Sequence, residues 1–330
     1  MIKFAEMTKP IEDTKMTGKE PQQPLFSIFI PTWNNLPFLK ICVESIEKNS
    51  AYPHEILIHV NDGSDGTLDW VREKGYKYTH STGNIGVCWA MNGLRPLMTT
   101  DYVAYVNDDM YVLPGWDKAL YDEIRRMPDK LWYLGSTLIE PHARMRHYSN
   151  RDFGLTPDTF REQELLDTYR SLQPGDWNGA MFPPTVVHRD IWDLVGGYSI
   201  EFSPGMGSDP DFNAKLWMAG IRKFKGIGKS MVYHFKNLSV NRIVKNDGPV
   251  QFLRKWGITI RAFYQQILLF DHPWDPEERV NPKTLRTELL RSSGKKILKL
   301  FSKPVIRRLW DQIGDDVTVM SPKKHTEDEK

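Results

Sequence analysis

A chain of 330 residues with Lys+Arg of 44 against Asp+Glu of 42 carries a net charge of +2, which excludes the concentrated basic face that general nucleic-acid binding requires. Hydrophobic residues at 40% and aromatics at 12% supply a sizeable core and exclude global disorder. The two cysteines, Cys42 and Cys88, make neither a disulfide scaffold nor a CxxC motif.

Met1 to Pro24 is polar and reads as a disordered leader without the apolar stretch of a signal peptide. No run of about 18 apolar residues suggests a transmembrane helix. The expectation is a reduced, cytoplasmic chain. Phe26 to Ile30 is a short apolar run closed by Pro31, as in a buried strand. Leu39, Val43 and Ile46 then share one helical face, with Asn35 placed to cap and Pro37 in the first turn. Glu55 to Val60 reads as a second strand, 67–74 as a helix, Tyr76 to His80 as a short strand and the stretch to about Leu97 as a helix. Asp101 to Val106 forms the next strand and runs into Asn107-Asp108-Asp109.

Alternating strands and helices predict an α/β domain with a parallel sheet covered on both faces. Such sheets bind ligands at the carboxyl ends of their strands. Three strands end in polar loops, Pro31-Thr32-Trp33-Asn34, Asn61-Asp62-Gly63 and Asn107-Asp108-Asp109, and the topology gathers all three on one rim. Beyond them, Leu131 to Ile139 reads as a strand, 140–178 as an Arg-rich excursion with a short helix at 160–172, and His188 to Val195 as a helix stopped by Gly196-Gly197. Ser208-Asp209-Pro210-Asp211 opens a further helix, and Met231 to His234 reads as a strand end.

Adjacent carboxylates repel unless a cation or donors compensate. Asp108-Asp109 is either a solvated turn or a hard-oxygen site for Mg²⁺ or Mn²⁺; its place at a central strand end favours the second. Asp62, near its strand end, could accept a hydrogen bond from a nucleobase N–H, whereas Asp65-Gly66 reads as turn chemistry. Trp33 is either a core aromatic or a flat face for a base. Ser208 reads as an N-cap, with Asp211 completing a capping box. Asp209 falls in the first turn, where an ionised carboxylate could serve as a general base. A lone histidine at a strand end, such as His234, reads first as a core residue.

Together these segments resemble the nucleotide-sugar glycosyltransferases of the GT-A fold, in particular family 2. The likeness runs through Ser27-Ile28-Phe29-Ile30-Pro31-Thr32-Trp33-Asn34, Asn61-Asp62-Gly63-Ser64, Asn84-Ile85-Gly86 with Asn92, Asn107-Asp108-Asp109, Asn178-Gly179-Ala180 with Arg189 and Gly196-Gly197-Tyr198, and Ser208-Asp209-Pro210-Asp211-Phe212. It covers roughly residues 25–236. The resemblance implies a Rossmann-like, mostly parallel central sheet with flanking helices. It divides the chain into a leader 1–24, a catalytic domain 25–240 (donor half 25–110, acceptor-side half 111–240), a helical basic extension 241–318 and a disordered tail 319–330.

By the same resemblance, Asp209 is the catalytic base. The donor is bound by Pro31, Thr32, Trp33, Asp62, Asn84, Gly86, Asn107 and Asp108. Asp109 ligates Mn²⁺ or Mg²⁺, with His234 at a further ligand position, and Trp177, Asn178, Gly179 and Asp211 lie on the acceptor side. Asn61 stands where the family has the first Asp of its base-binding pair, and Ser208 where it has Glu. The implied reaction is metal-assisted inverting transfer from a nucleotide sugar, read as UDP-linked, to a glycan, lipid-linked or protein acceptor. A sugar-phosphate nucleotidyltransferase would need a Gly-rich, basic phosphate loop after the first strand, which Pro31-Thr32-Trp33-Asn34 lacks; a non-catalytic nucleotide- or glycan-binding relative is the other alternative.

Lys283 to Trp310 has nine Lys/Arg against one Glu. Its interleaved apolar residues suit an interfacial helix, hence peripheral contact with the inner face of a membrane, or equally a basic helix packed on the domain. His142, Arg144, Arg146, His147 and Arg151 form either a solvated loop or a surface for a phosphate-bearing acceptor.

Overall fold

The computed structural model describes residues 22–236, 245–278 and 280–300, with the backbone alone for 297–300. Most of the expected leader (1–21), the segment around the 240/241 boundary, and the tail beyond 300 lie outside the described residues. The first half alternates as the sequence predicts: β1 (Phe26–Trp33), α1 (Leu36–Asn49), β2 (Glu55–Asn61), α2 (Thr67–Lys74), β3 (Lys77–Ser81), α3 (Gly86–Leu94) and β4 (Tyr102–Tyr105). Then come β5 (Met110–Val112), α4 (Trp116–Ile124), β6 (Trp132–Glu140), β7 (Ser149–Asn150), α5 (Glu162–Thr168), β8 (Trp177–Asn178), β9 (Thr185–His188), α6 (Arg189–Val195), α7 (Ser208–Met218) and β10 (Lys223–His234). Finally α8 (Gly248–Trp256), a short helical stretch over 260–267 that ends in a π-turn, and α9 (Pro282–Leu300) close the described chain.

The strands join in one sheet, ordered β3-β2-β1-β4-β9-β6-β10-β5. β3, β2, β1 and β4 are parallel, so their carboxyl ends share one rim. The other half is mixed rather than parallel: β9 runs antiparallel to both β4 and β6, and β5 antiparallel to β10. β1 is buried along most of its length, as expected of a strand covered on both faces. Its period of two sends Phe26, Ile28 and Ile30 into a core with Val43 and Trp116 on one side of the sheet. Phe29 joins Leu57, Trp192, Phe212, Phe252 and Phe263 on the other. Phe252, Ile258, Phe263 and Leu268 thus share a core with β1, across the boundary expected at residue 240.

Two capping expectations are corrected. Asn35 makes no side-chain cap on α1; instead Leu36 N donates to Asp65 Oδ2 at 3.0 Å, and Asp65 Oδ1 accepts from Thr67 N at 3.0 Å. Asp65 therefore satisfies amide donors at the starts of two helices, a wider role than a turn. At α7 the N-cap is Gly207, without a side-chain cap, and the Ser208 hydroxyl donates to Gly205 O at 2.8 Å. Asp211 is wholly buried and points elsewhere: its Oδ1 accepts from Trp256 Nε1 at 2.8 Å and lies 2.9 Å from Lys255 Nζ. The capping box does not form because a buried carboxylate gains more from a cation and an indole N–H than from one amide.

α9 packs back on the domain through Ser292, whose buried hydroxyl accepts from Thr259 N at 3.2 Å. Leu290 on the same helix is 68% exposed. Among the described residues, no helix is long and apolar enough to cross a membrane.

Candidate active site

The rim of the parallel strands brings the three polar loops together. In the β1–β2 register Trp33 stands opposite Asn61 and Pro31 opposite His59. Asn34 Nδ2 donates to Asp62 Oδ2 at 2.8 Å, and Gly63 N donates to Asn34 Oδ1 at 2.9 Å. Donation from Asn34 and Ser64 holds the Asp62 carboxyl below its usual range. Asn61 is buried and turned inward, accepting from Ile85 N at 2.9 Å and donating to Thr32 O at 3.2 Å. Its amide ties the second loop to the Asn84-Ile85-Gly86 segment, and a carboxylate in its place could not make the bond to Thr32.

Thr32 Oγ1 donates to Asp108 Oδ2 at 2.7 Å, which links the first and third loops. Asn107 O accepts a weak bond from Cys42 Sγ at 3.4 Å, so the third loop rests on α1. Asn84 Oδ1 accepts from Gly86 N at 2.9 Å, and Gly86, at φ +79°, leads into α3. A Cβ on Gly86 would lie 2.5 Å from Pro204 Cα, and Val87 N donates to Pro204 O at 2.9 Å. The backbone at the start of α3 therefore touches the loop that leads to Asp209. Gly86→Ala would meet both the positive φ and this contact, so a loss of about 1–3 kcal/mol is expected in urea unfolding.

Asp109 is buried, and its Oδ2 lies 3.3 Å from His234 Nε2. His234 Nδ1 contacts Glu140 Oε1 at 2.7 Å, and Lys236 Nζ lies 2.8 Å from Glu140 Oε2. Burial disfavours the His234 imidazolium, but the Asp109 and Glu140 carboxylates outweigh that and raise its pKa to about 10. Burial likewise pushes Glu140 up, and His234 with Lys236 brings it below its usual range. Neither Glu140 nor Lys236 stands out in the sequence. The available signal is a carboxylate closing a wholly buried nine-residue strand.

Asp209 stands across from this group. A cavity of about 320 Å³ is walled by Asn107, Glu140, Arg144, Tyr148, Asp209 and His234, among others. The Tyr198 hydroxyl donates to Asp209 Oδ1 at 3.1 Å. Tyr198 is in turn fixed by Asn92, which accepts from its N–H at 2.8 Å and donates to its carbonyl at 2.7 Å. The ring of Tyr198 stacks on Phe212 at 4.8 Å. Buried phenols of Tyr105, Tyr133, Tyr148 and Tyr264 also lie within electrostatic reach of Asp209. Burial among these rings pushes Asp209 up to about 7, and the Tyr198 bond only partly offsets it.

Asp117 shows that burial alone does not mark the site. Its carboxylate accepts from Ala51 N at 2.9 Å and Tyr52 N at 2.9 Å and lies 3.1 Å from His54 Nε2. Those contacts outweigh burial and hold its pKa below the usual range. Such a carboxylate is a structural anchor; Asp209, with the Tyr198 hydroxyl as its donor among the described residues, is left able to exchange a proton near neutrality.

Trp177, Asn178 and Gly179 are not brought to the cavity wall. Trp177 donates from Nε1 to Thr137 Oγ1 at 2.9 Å and stacks on His147 at 3.6 Å. A Cβ on Gly226 would fall 1.8 Å from the Trp177 ring, which explains the glycine in mid-strand. Asn178 Nδ2 donates to Glu278 at 2.8 Å, and Gly179 packs against Phe270. The segment after α8 thus packs on this stretch.

The donors present suit a hard divalent cation. Asp109 offers a carboxylate oxygen, and His234 Nε2 lies beside it. With the His234 pKa raised to about 10, this nitrogen carries a proton at neutrality, which a cation would have to displace before His234 could ligate. Glu140 holds the far nitrogen of the same ring, as outer partners of ligating histidines do. Among the described residues no cluster of three or more ligand side chains forms. That number is compatible with a cation that takes the rest of its oxygens from phosphates and water.

The model of the "Glycosyl transferase family 2" family matches residues 27–173. A Glucosyl-dolichyl phosphate glucuronosyltransferase of Haloferax volcanii is 25% identical over 210 residues, 60% of this chain. The match spans 62% of that relative's length, less than two thirds of it. The S. aureus TarS 1-349 crystal structure superposes at a TM-score of 0.53 with 12% identity, covering 84% of this chain and 72% of that one. The TarS 1-349 complex with UDP-GlcNAc gives 0.52 at 13% identity, covering 88% and 80%; these likenesses establish the fold. Residues 27–173 thus match the glycosyltransferase family 2 model, and the described chain adopts the GT-A fold.

Proposed function

We propose that the protein transfers a sugar, with inversion, from a UDP-sugar to an acceptor hydroxyl in glycan synthesis. The observation that carries this reading is the single cavity walled by Asp209 and His234, with Asp109 directly behind the histidine. In this reading the uracil lies at the Trp33–Asp62 end of the rim, and the diphosphate runs toward Asp108 and Asp109. The UDP and UDP-GlcNAc held by the TarS structures support the choice of nucleotide, and the name of the H. volcanii relative supports a glycosyl acceptor. Asp109 and, once deprotonated, His234 would hold a Mg²⁺ or Mn²⁺, whose charge would stabilise a departing diphosphate.

The chain's own residues do the rest. Asp209 accepts the proton of the acceptor hydroxyl as that oxygen attacks the anomeric carbon from the face opposite the diphosphate. Tyr198, locked by Asn92, holds the carboxylate in line. The buried aromatic surroundings keep its pKa near the working pH, where a general base is most effective.

Release of UDP from a panel of UDP-sugars, with Mn²⁺, Mg²⁺ or chelator and a panel of hydroxyl acceptors, tests the proposal. The product's anomeric configuration, read by NMR, tests inversion. UDP binding without turnover of any donor would favour a non-catalytic relative. Since Asp209 must be ionised to act, kcat/KM should rise with pH along a limb with an apparent pKa near 7 and fall about tenfold per unit below it. A profile flat from pH 5 to 8 would remove Asp209 from the chemical step.

A further inference from the structure

We propose that a groove beside the catalytic cavity seats the apolar tail of an acceptor whose sugar is joined to that tail through phosphate; this deepens the glycosyl-transfer reading and rests on it. The groove encloses about 770 Å³, well within the range of pockets that hold a small ligand. Met145, Phe182, Leu253, Ile260, Tyr264 and Phe270 supply its apolar walls. Met145 and Phe182 also wall the cavity that contains Asp209, so the two spaces meet along a shared side.

Their chemistry differs. The cavity presents Asn107, Glu140, Asp209 and His234, which suits a hydroxylated sugar; the groove offers little to hydrogen-bond and much to desolvate. One molecule that fills both is amphiphilic, with its sugar toward Asp209. The charges on the walls say what joins the halves. Arg144 stands on the cavity wall, and Arg261 and Lys295 on the groove wall. Arg261 Nε donates to a neutral partner, Gln265 Oε1 at 3.2 Å. Asp271, the carboxylate on the groove wall among the described residues, is already engaged by His147 and the backbone N–H of Arg146. The walls are thus cationic, as expected for an anionic linker.

Calorimetric titration of the full chain with farnesyl phosphate, farnesol and inorganic phosphate tests the inference. Farnesyl phosphate should bind at least about tenfold more tightly than either control. Ile260→Asp, which puts a charge in the apolar wall, should weaken farnesyl phosphate about tenfold or more, while UDP still raises the melting temperature as in wild type. Arg261→Glu, at an exposed position that spares the core, should weaken farnesyl phosphate by a similar factor and leave farnesol unchanged. Absence of farnesyl phosphate binding, or unchanged binding in both variants, would overturn the proposal. The readout needs no turnover, so failure of the groove and failure of the transferase reading are separate results.

Discussion

Asp209→Asn is expected to lower kcat by about 10²–10⁴-fold, the usual worth of a positioned general base, with UDP binding retained. The amide keeps the oxygen that accepts from Tyr198 but cannot take a proton. Thermal shift with UDP separates the two effects, because a ligand bound by untouched residues stabilises the variant as it does the wild type. The same variant carries a stability signature. The folded pKa of Asp209, about 7, lies above its ordinary 3.8, so between those values the folded chain holds a proton that the unfolded chain releases. Stability from this group is therefore lost as pH rises toward 7. The asparagine variant should melt above wild type at pH 8, with the difference shrinking toward pH 4. Turnover within tenfold of wild type would show that another group accepts the proton.

Asp109→Asn should have the next largest effect, a fall in kcat of about 10²–10³-fold, comparable to removing one preorganised charge-stabilising group from a transition state. The substitution keeps the volume of a buried side chain and removes the carboxylate that faces His234 at 3.3 Å. Titration of UDP with and without Mn²⁺ gives a readout apart from turnover. Mn²⁺ should strengthen UDP binding to the wild type and have no effect on the variant. Equal enhancement in both proteins would place the cation away from Asp109.

The first half of the fold is legible in the sequence because its information is local. Each of β1, β2 and β4 is a short apolar run that stops at a polar loop, and a parallel order puts those stops on one rim. Asp209 is legible for a similar reason, as a carboxylate in the first turn of a helix. Glu140 and His234, in contrast, are 94 residues apart and meet only through the pairing of β6 with β10. β10 is itself hidden, since Lys223 to Ser230 reads as a polar, glycine-broken stretch. The structure buries Lys225 between Glu123 at 2.8 Å and Asp176 at 2.9 Å, which allows a lysine inside the sheet. Asp211 misleads for the opposite reason. Its spacing from Ser208 satisfies a local rule, while Lys255 and Trp256, distant in sequence, supply stronger partners.

The strand order also bears on how the protein can be cut. The stretch that matches the family ends at residue 173, yet β9, at Thr185–His188, is wedged between β4 and β6 and bonds to both. A fragment trimmed to the matched stretch would lack β8, β9 and β10, leaving β4 as an open edge of the four parallel strands and β6 and β5 without the strands that join them to the sheet. Such a piece should aggregate on expression. The length of polypeptide that carries the family's signature and the smallest length able to stand alone are not the same.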